Sequence, residues 1–434
     1  MVSKIVILVS ITLIYLSIFF GAAENPTYIK IVDSSVHGND YAYAPSIIKK
    51  DGIYHVFFCS IGANGAWDYI RYTNSSDGIN WSDPMIKLKA VVFQDPLTGK
   101  NTNYAACDPS VVYYQGYYYL YYSNAYQTGA SWDISQTVVS IARSTSIDGQ
   151  YLTYTERGTW EDTPNDSKMI ILPLIKHTQN LIGYGAGQQT LLVRDNKLLM
   201  WYTDDSIDPS SGTRTYMLES TNPVQWSPDS SREINIKGAG SIDVKYDSIR
   251  NAYMMTDIAN DHTNTTFLRI AFSSDGLNWS SFTTIVAVDA FPYYTHNVGV
   301  SGDEVGTLLA DNNLIAFGAP YDLSNDISWG KWDLYGEFVP KSTFLSNTTT
   351  TSSTTAATTA LFTTSTTYTT TTTTVPTTST TIPATTTQLT TITQLTTTTA
   401  IPQIKIPTIS PGILVVITLA IIGPIILFFF VRRI

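Results

Sequence analysis

The sequence predicts an all-β head, a five-bladed β-propeller, followed by a disordered Thr-rich stalk and one C-terminal transmembrane helix. Three observations carry the fold class. A ribbon of strand, tight polar turn and second strand occurs five times. A turn built on Asp-Gly, often with a tryptophan after it, follows several copies. No sustained apolar helical pattern interrupts residues 24–340. Four strands repeated at roughly 50 to 80 residues are the signature of radial blades, which leave only short, protected edges.

The chain opens with Lys4, an apolar stretch from Ile5 to Phe20, and the small residues Gly21, Ala22 and Ala23. Residues 1–23 therefore fit a secretory signal peptide, with an uncleaved signal anchor as the alternative. The head, residues 24–340, is about 315 residues, a usual size for one closed all-β architecture. Its first ribbon is YAPSIIKKDGIYHVFFCS from Tyr43, and its second is CDPSVVYYQGYYYLYYS from Cys107. The third, GQQTLLVRDNKLLMWYT, starts at Gly187, and the fourth, GSIDVKYDSIRNAYMMT, at Gly240. The fifth, from His296, has a longer turn. Each has the alternation and the β-branched or aromatic content of a pleated surface. The seven tyrosines of the second copy are expected to pack alternately between sheets, the others keeping a hydroxyl near water. Third and fourth strands are predicted around the turns of IRYTNSSDGINWS, IARSTSIDGQYLTY, YMLESTNPVQWS and LRIAFSSDGLNWS, anchored by Trp81, Trp226 or Trp279.

Residues 341–407 are about half threonine, with Ser, Pro and Ala among the rest, a composition that buries no core and offers hydroxyls for O-glycans. The span 408–431 contains an uninterrupted apolar run, Ile413 to Val431, long enough to cross a bilayer. Arg432 and Arg433 after it mark residues 432–434 as a cytoplasmic tail. Sequons at Asn74, Asn80, Asn165, Asn264, Asn278 and Asn347 agree with an exported glycoprotein.

The formal charge of −10 leaves no electrostatic footprint for nucleic acid. The two cysteines, Cys59 and Cys107, either form a disulfide or stay as a free buried pair. Only 14% of residues are charged, a composition that suits an acidic habitat and also ordinary extracellular propellers.

Ribbons of the form DPSVVYYQGYYYLYYS joined to SSDGINW turns resemble the five-bladed propellers of the glycoside hydrolase clan containing families 32, 43, 62 and 68, over about Tyr43 to Phe338. The Asp-Gly-x-x-Trp turns are also similar to sialidase Asp boxes, which usually hold one more residue between Asp and Gly. The resemblance implies a central pocket, an Asp from the first blade, an Asp from a later inner strand and a Glu acting as acid. Glycoside cleavage needs two carboxyls flanking the bond.

Here the Asp-Pro position is Ala44, Asp108, Gln188 and Gly240 in the first four copies, so one acid stands at its motif position. Asp108 is either a strand-start cap or a catalytic or sugar-binding carboxylate. Asp243 and Glu161 complete the candidate catalytic set. Tyr43, Gln188, Asp204, Asp205, Asp257, His296 and Asn297 are candidate substrate-binding residues, with Trp67, Tyr184, Tyr293 and Tyr294 as further rim aromatics. Related arabinan-degrading enzymes use a histidine beside a central metal ion near the position of His296. A histidine with Asn297 is not a ligand set, and Asp257, Asp261 and His262 form a denser group that also suits a plain loop. No cofactor is expected, with structural calcium as the open alternative.

The expected function is a cell-surface, glycoside hydrolase-like protein acting on extracellular polysaccharide or glycoprotein glycans. The expected partners are carbohydrate and, through the C-terminal helix, membrane; the head is expected to be a monomer. The alternatives are a non-catalytic glycan-binding or adhesion head and a sialidase-like enzyme. Against the latter stand the third strands, where Arg71 and Arg143 recur but Glu219 takes that place in the third copy.

Overall fold

The computed structural model describes residues 28–345, apart from 37–40, 63–67, 90, 95–100, 129–130, 165, 175–184, 207–212, 287–289 and 325–329. The expected signal peptide, the stalk beyond residue 345 and the membrane span lie outside the described residues, as do Trp67, Tyr184, Asn165 and Asn347; the first residues assigned to the stalk, Lys341–Leu345, instead pack on the head, with Phe344 buried. Among the described residues, no helix is long and apolar enough to cross a membrane.

The described chain enters at β1 (Ile29–Val32) and then lays down five antiparallel sheets. Blade one is β2 (Ala42–Lys50), β3 (Ile53–Ser60), β4 (Tyr69–Ser75) and β5 (Met85–Leu88). Blade two is broader. β6 (Val91–Gln94) pairs with the inner strand β7 (Asn101–Tyr114), which is followed outward by β8 (Tyr117–Thr128), β9 (Ser131–Ser144), β10 (Leu152–Tyr154) and β11 (Trp160–Glu161). β12 (Met169–Ile171) also pairs with β9. Blade three is β13 (Ala186–Arg194), β14 (Lys197–Asp204), β15 (Arg214–Ser220) and β16 (Arg232–Lys237). Blade four is β17 (Asp243–Asp247), β18 (Ala252–Ala259), β19 (Phe267–Ser273) and β20 (Thr283–Val286). Blade five is β21 (His296–Val300), β22 (Asn312–Pro320) and β23 (Trp332–Pro340), with β1 as its outer strand and the short α1 (Lys341–Leu345) after it.

All five predicted ribbons are thus the two inner strands of a blade. The fourth strand of blade five comes from the N-terminal end of the head, Ile29 pairing with Gly336 and Val32 with Leu334. The last blade is thereby completed by the start of the chain.

The core is divided among the five gaps between blades. Tyr118, Leu120 and Tyr122 pack toward Phe57, Ile70 and Tyr72 of blade one. Tyr119 and Tyr121 pack toward Leu191, Met200 and Tyr202 of blade three. Both alternating sets of tyrosines are therefore buried. This corrects the expectation that one set keeps its hydroxyls near water: a blade has a neighbour on each face, so period-two alternation chooses between two gaps and not between core and solvent. Two of the hydroxyls find backbone acceptors instead, Tyr121 donating to Pro223 O at 2.9 Å and Tyr114 to Asn196 O at 3.0 Å.

The Asp-Gly turns dock onto neighbouring blades. Asp77 Oδ1 accepts the amides of Ile79 and Asn80 at 2.8 Å each, and Asp275 Oδ1 those of Leu277 and Asn278 at 2.9 and 2.8 Å. Gly276 adopts φ of 75° and meets Trp201, where an added Cβ would lie 2.8 Å from the ring.

The longer turn of the fifth ribbon closes one end of the central channel. Gly302 O accepts Lys49 N–H at 2.8 Å, Glu304 O Tyr113 N–H at 2.7 Å, Val305 O Val193 N–H at 2.9 Å and Gly306 O Tyr246 N–H at 2.9 Å. One loop so joins the inner strands of blades one to four, leaving the channel a recess.

Candidate functional site

The recess lies where the inner strands begin. In four blades the strand starts with the same irregularity. Ala44, Asp108, Gln188 and Asn297 have φ of 51, 45, 49 and 50°. Pairing with the second strand slips there, between Tyr43 and Ser46, Cys107 and Ser110, Gly187 and Thr190, and His296 and Val298. Such a bulge re-aims a side chain from the pleat, and all four residues line the recess.

Two positions on, side-chain oxygens stitch each blade to the next. Ser46 Oγ accepts Val111 N–H at 3.1 Å, Ser110 Oγ accepts Leu191 N–H at 3.0 Å, Thr190 Oγ1 accepts Val244 N–H at 3.1 Å and Asp243 Oδ2 accepts Val300 N–H at 2.6 Å. By this register the blade-four partner of Asp108 is Ser241, which also lines the recess. Spacing from the turn predicts Gly240 there; the inter-blade bonds shift the position by one residue. In blade five the stitching position is Gly299. A Cβ on it would stand 2.1 Å from Pro45 O, so only a glycine lets blade one close against blade five.

Asp243 therefore holds a structural position as well as facing the recess. Its carboxylate accepts Thr190 Oγ1 at 2.9 Å and binds Lys245 Nζ at 2.5 and 2.7 Å, all three side chains buried. Removing either partner would strand a buried charge.

The remaining acids separate clearly. Glu161 sits on the outermost strand of blade two, bonded to Thr159 at 2.5 Å and to Arg157 at 2.7 Å. Four strand spacings, about 19 Å, lie between β11 and β7, so Glu161 is not brought to the recess. Asp204 is buried and accepts Leu174 N–H and Ser206 N–H, at 2.7 and 2.8 Å. Asp205 accepts Arg214 N–H at 2.9 Å. Both hold loops. Asp257 is buried beneath Arg269, 2.6 Å away, and burial pushes its carboxyl up to about 7 against that guanidinium. Arg71 and Arg143, on third strands, are also distant in role: Arg143 stacks on Tyr117 and Trp160. Among the described residues no arginine lines the recess.

Next to Asp108, Cys59 of β3 and Cys107 of β7 form a disulfide, with Cα atoms 5.0 Å apart. Asp68, absent from the sequence candidates, packs against this bridge. Burial first and then the charge of Asp108 push its carboxyl up to about 7, although hydroxyls of Tyr41 and Tyr43 hydrogen-bond it. Asp68 stands in an unpatterned connection between β3 and β4, which gives no sequence signal. Tyr43 is buried, its ring 5.3 Å from both His296 and Trp332. It backs the site and does not line it. Tyr293 is exposed.

At the start of blade five, His296 Nδ1 lies 2.8 Å from Asp261 Oδ2, and the His262 ring lies 4.0 Å from that of His296, tilted by 30°. Burial raises the Asp261 carboxyl, but the charge and hydrogen bond of His296 and the charge of His262 outweigh it and hold it below the usual range. Burial lowers His262 to about 4, so its imidazole is neutral at pH 7.

The recess thus presents a carboxylate at Asp108, amides at Gln188 and Asn297, and a hydroxyl at Ser241. Such a set donates and accepts hydrogen bonds around a ring, which fits a polyhydroxylated ligand.

No protein-family model matches the chain, and no curated protein matches it in sequence. Solved structures with a similar fold include Zg3597, a family 117 glycoside hydrolase of the marine bacterium Zobellia galactanivorans, at 15% identity over 72% of this chain and 89% of that one, with a TM-score of 0.48. A GH62 hydrolase in complex with xylotriose matches at 12% identity over 72% and 96%, with a TM-score of 0.49. An N-acetylgalactosamine deacetylase from F. plautii in complex with blood group B trisaccharide matches at 13% over 74% and 95%, with a TM-score of 0.48. At these identities the likeness is one of fold and assigns no activity.

Proposed function

We propose that the head is a carbohydrate-binding propeller of glycoside hydrolase-like fold, displayed on the cell surface by the threonine-rich stalk and C-terminal span. Extracellular polysaccharide or glycoprotein glycan is its ligand, and the head acts as a monomer. The observation that carries this reading is the set of residues at the five equivalent strand starts, Ala44, Asp108, Gln188, Ser241 and Asn297, all facing one closed-ended recess. Four of the five are uncharged, which suits holding a neutral sugar through hydrogen bonds more than cleaving it.

One observation favours hydrolysis as a second reading. Asp68 is raised to about 7 beside Asp108, and glycoside cleavage uses one protonated and one ionised carboxyl. In that case Asp108, which lines the recess, acts as base or nucleophile.

The test is titration of the purified protein with arabinan, xylan, fructan and surface-type glycan fragments, with reducing sugar followed in parallel. Asp108→Asn is expected to weaken binding about 10-fold, the loss of about one charge-assisted hydrogen bond, with little change in melting temperature. Asparagine tolerates the left-handed φ that Asp108 adopts. Saturable binding without sugar release supports the first reading; release abolished by Asp108→Asn supports the second. Binding to none of these glycans, or binding indifferent to Asp108→Asn, rejects the site.

A further inference from the structure

We propose that Asp261, His262 and His296 form a binding site for a first-row transition-metal ion such as zinc at the edge of the recess. Their ligand atoms lie within 4.8 Å of one another. Tetrahedral zinc, with bonds near 2.0–2.2 Å, would draw such atoms to separations of roughly 3.3 Å, a contraction within reach of side-chain rotation.

The three residues come from two blades held against each other. Asp261 and His262 occupy the turn between β18 and β19, and His296 begins β21. His262 N–H donates to Thr295 O at 3.3 Å and Tyr294 N–H to Thr263 O at 2.8 Å, so the backbone already carries the ligands as a unit. Trp332 lies 5.2 Å from the His262 ring and 5.3 Å from that of His296, and Tyr43 also packs against His296, 5.3 Å away. These rings fix the imidazoles without supplying hydrogen-bond acceptors from their faces. Asp261 Oδ1 and, beside His296, Asn297 Oδ1 are buried oxygens without a hydrogen-bond partner among the described residues. Buried acceptors in that state call for a cation or a water.

The donor set also decides the class of ion. Calcium takes six to eight oxygens, whereas two imidazoles and a carboxylate suit zinc, cobalt or nickel. The side chains of Asp261 and His262 are 31% and 35% exposed, which gives the ion a path from solvent. Asn297 lines the recess, so an ion here would sit within reach of a ligand bound there.

The test needs no sugar and is therefore independent of the glycan reading. The full chain, made without a histidine tag and stripped with chelator, is titrated with cobalt(II) while its visible absorption is followed, and separately with zinc by calorimetry. One equivalent of ion is expected to bind, with the d–d bands of a nitrogen and oxygen site. His262→Ala and Asp261→Asn are each expected to weaken it by at least 10-fold, since even outer-shell changes cost 10- to 100-fold. Thermal unfolding in chelator identifies any variant that fails to fold; His262, partly exposed, provides the variant that keeps its fold. No binding at millimolar cobalt and zinc, binding unchanged in both variants, or displacement of cobalt by equimolar calcium would each overturn the proposal.

Discussion

Asp108 shares its backbone conformation with Ala44, whose φ of 51° is within a few degrees of the 45° at Asp108. Alanine carries no side-chain acceptor, so the bulge does not require a carboxylate, and the acid at Asp108 is free to be explained by what it faces. Asp68 poses a different question. Its folded value of about 7 exceeds the ~3.9 of an unfolded aspartate, so between these values the folded state binds the extra proton and stability falls as pH rises. Replacing Asp68 by asparagine removes that titration. The melting temperature of wild type relative to Asp68→Asn is expected to drop between pH 5 and pH 8. A constant difference across that range would show that the Asp68 carboxyl is solvated.

The disulfide acts between elements, tying β3 of blade one to β7 of blade two across 48 residues of sequence. Loop closure over that length stabilises by up to about 4 kcal/mol in the chain-entropy view. Reduction is expected to lower unfolding stability by about 2–4 kcal/mol, measured as a shift of the denaturant midpoint at constant m-value. An unchanged midpoint in reduced protein, with both thiols titrated, would rule out this contribution. The ribbons themselves were legible in sequence because their signal is local. Gly116 and Gly52 sit at φ of 89° and 82° in the turns, where glycine is the residue without steric cost, and the strands on either side keep their alternation. The blade-four strand start was not legible, since Ser241 and Gly240 differ only in which one faces the recess, and the bond from Val244 to Thr190 decides that.

At the scale of the whole molecule, closure depends on β1. Its Ile31 and Val32 are 4% and 1% exposed and pack with Ile47, Val56 and Phe58 across the gap between blades five and one. Burying two such side chains is worth about 3–6 kcal/mol, a large part of a typical stability margin. Deleting Ile29–Val32 is expected to give aggregated protein or a loss of cooperative unfolding, because β23 becomes an open edge. Recovery of a monomer with the wild-type melting temperature would show that blade five stands without it.

By itself the sequence determined the all-β class, the five ribbons and their order, because pleat alternation and turn chemistry are properties of neighbouring residues. Only the tertiary structure decided that the N-terminal strand completes blade five, that the long fifth turn seals the channel, and that Glu161 lies at an outer edge. It alone brought Asp68 beside Asp108 and His296 beside Asp261. A one-residue bulge redirects a side chain from a blade gap to the recess, and what holds each bulge is a bond to the next blade, about 50 to 80 residues away along the chain.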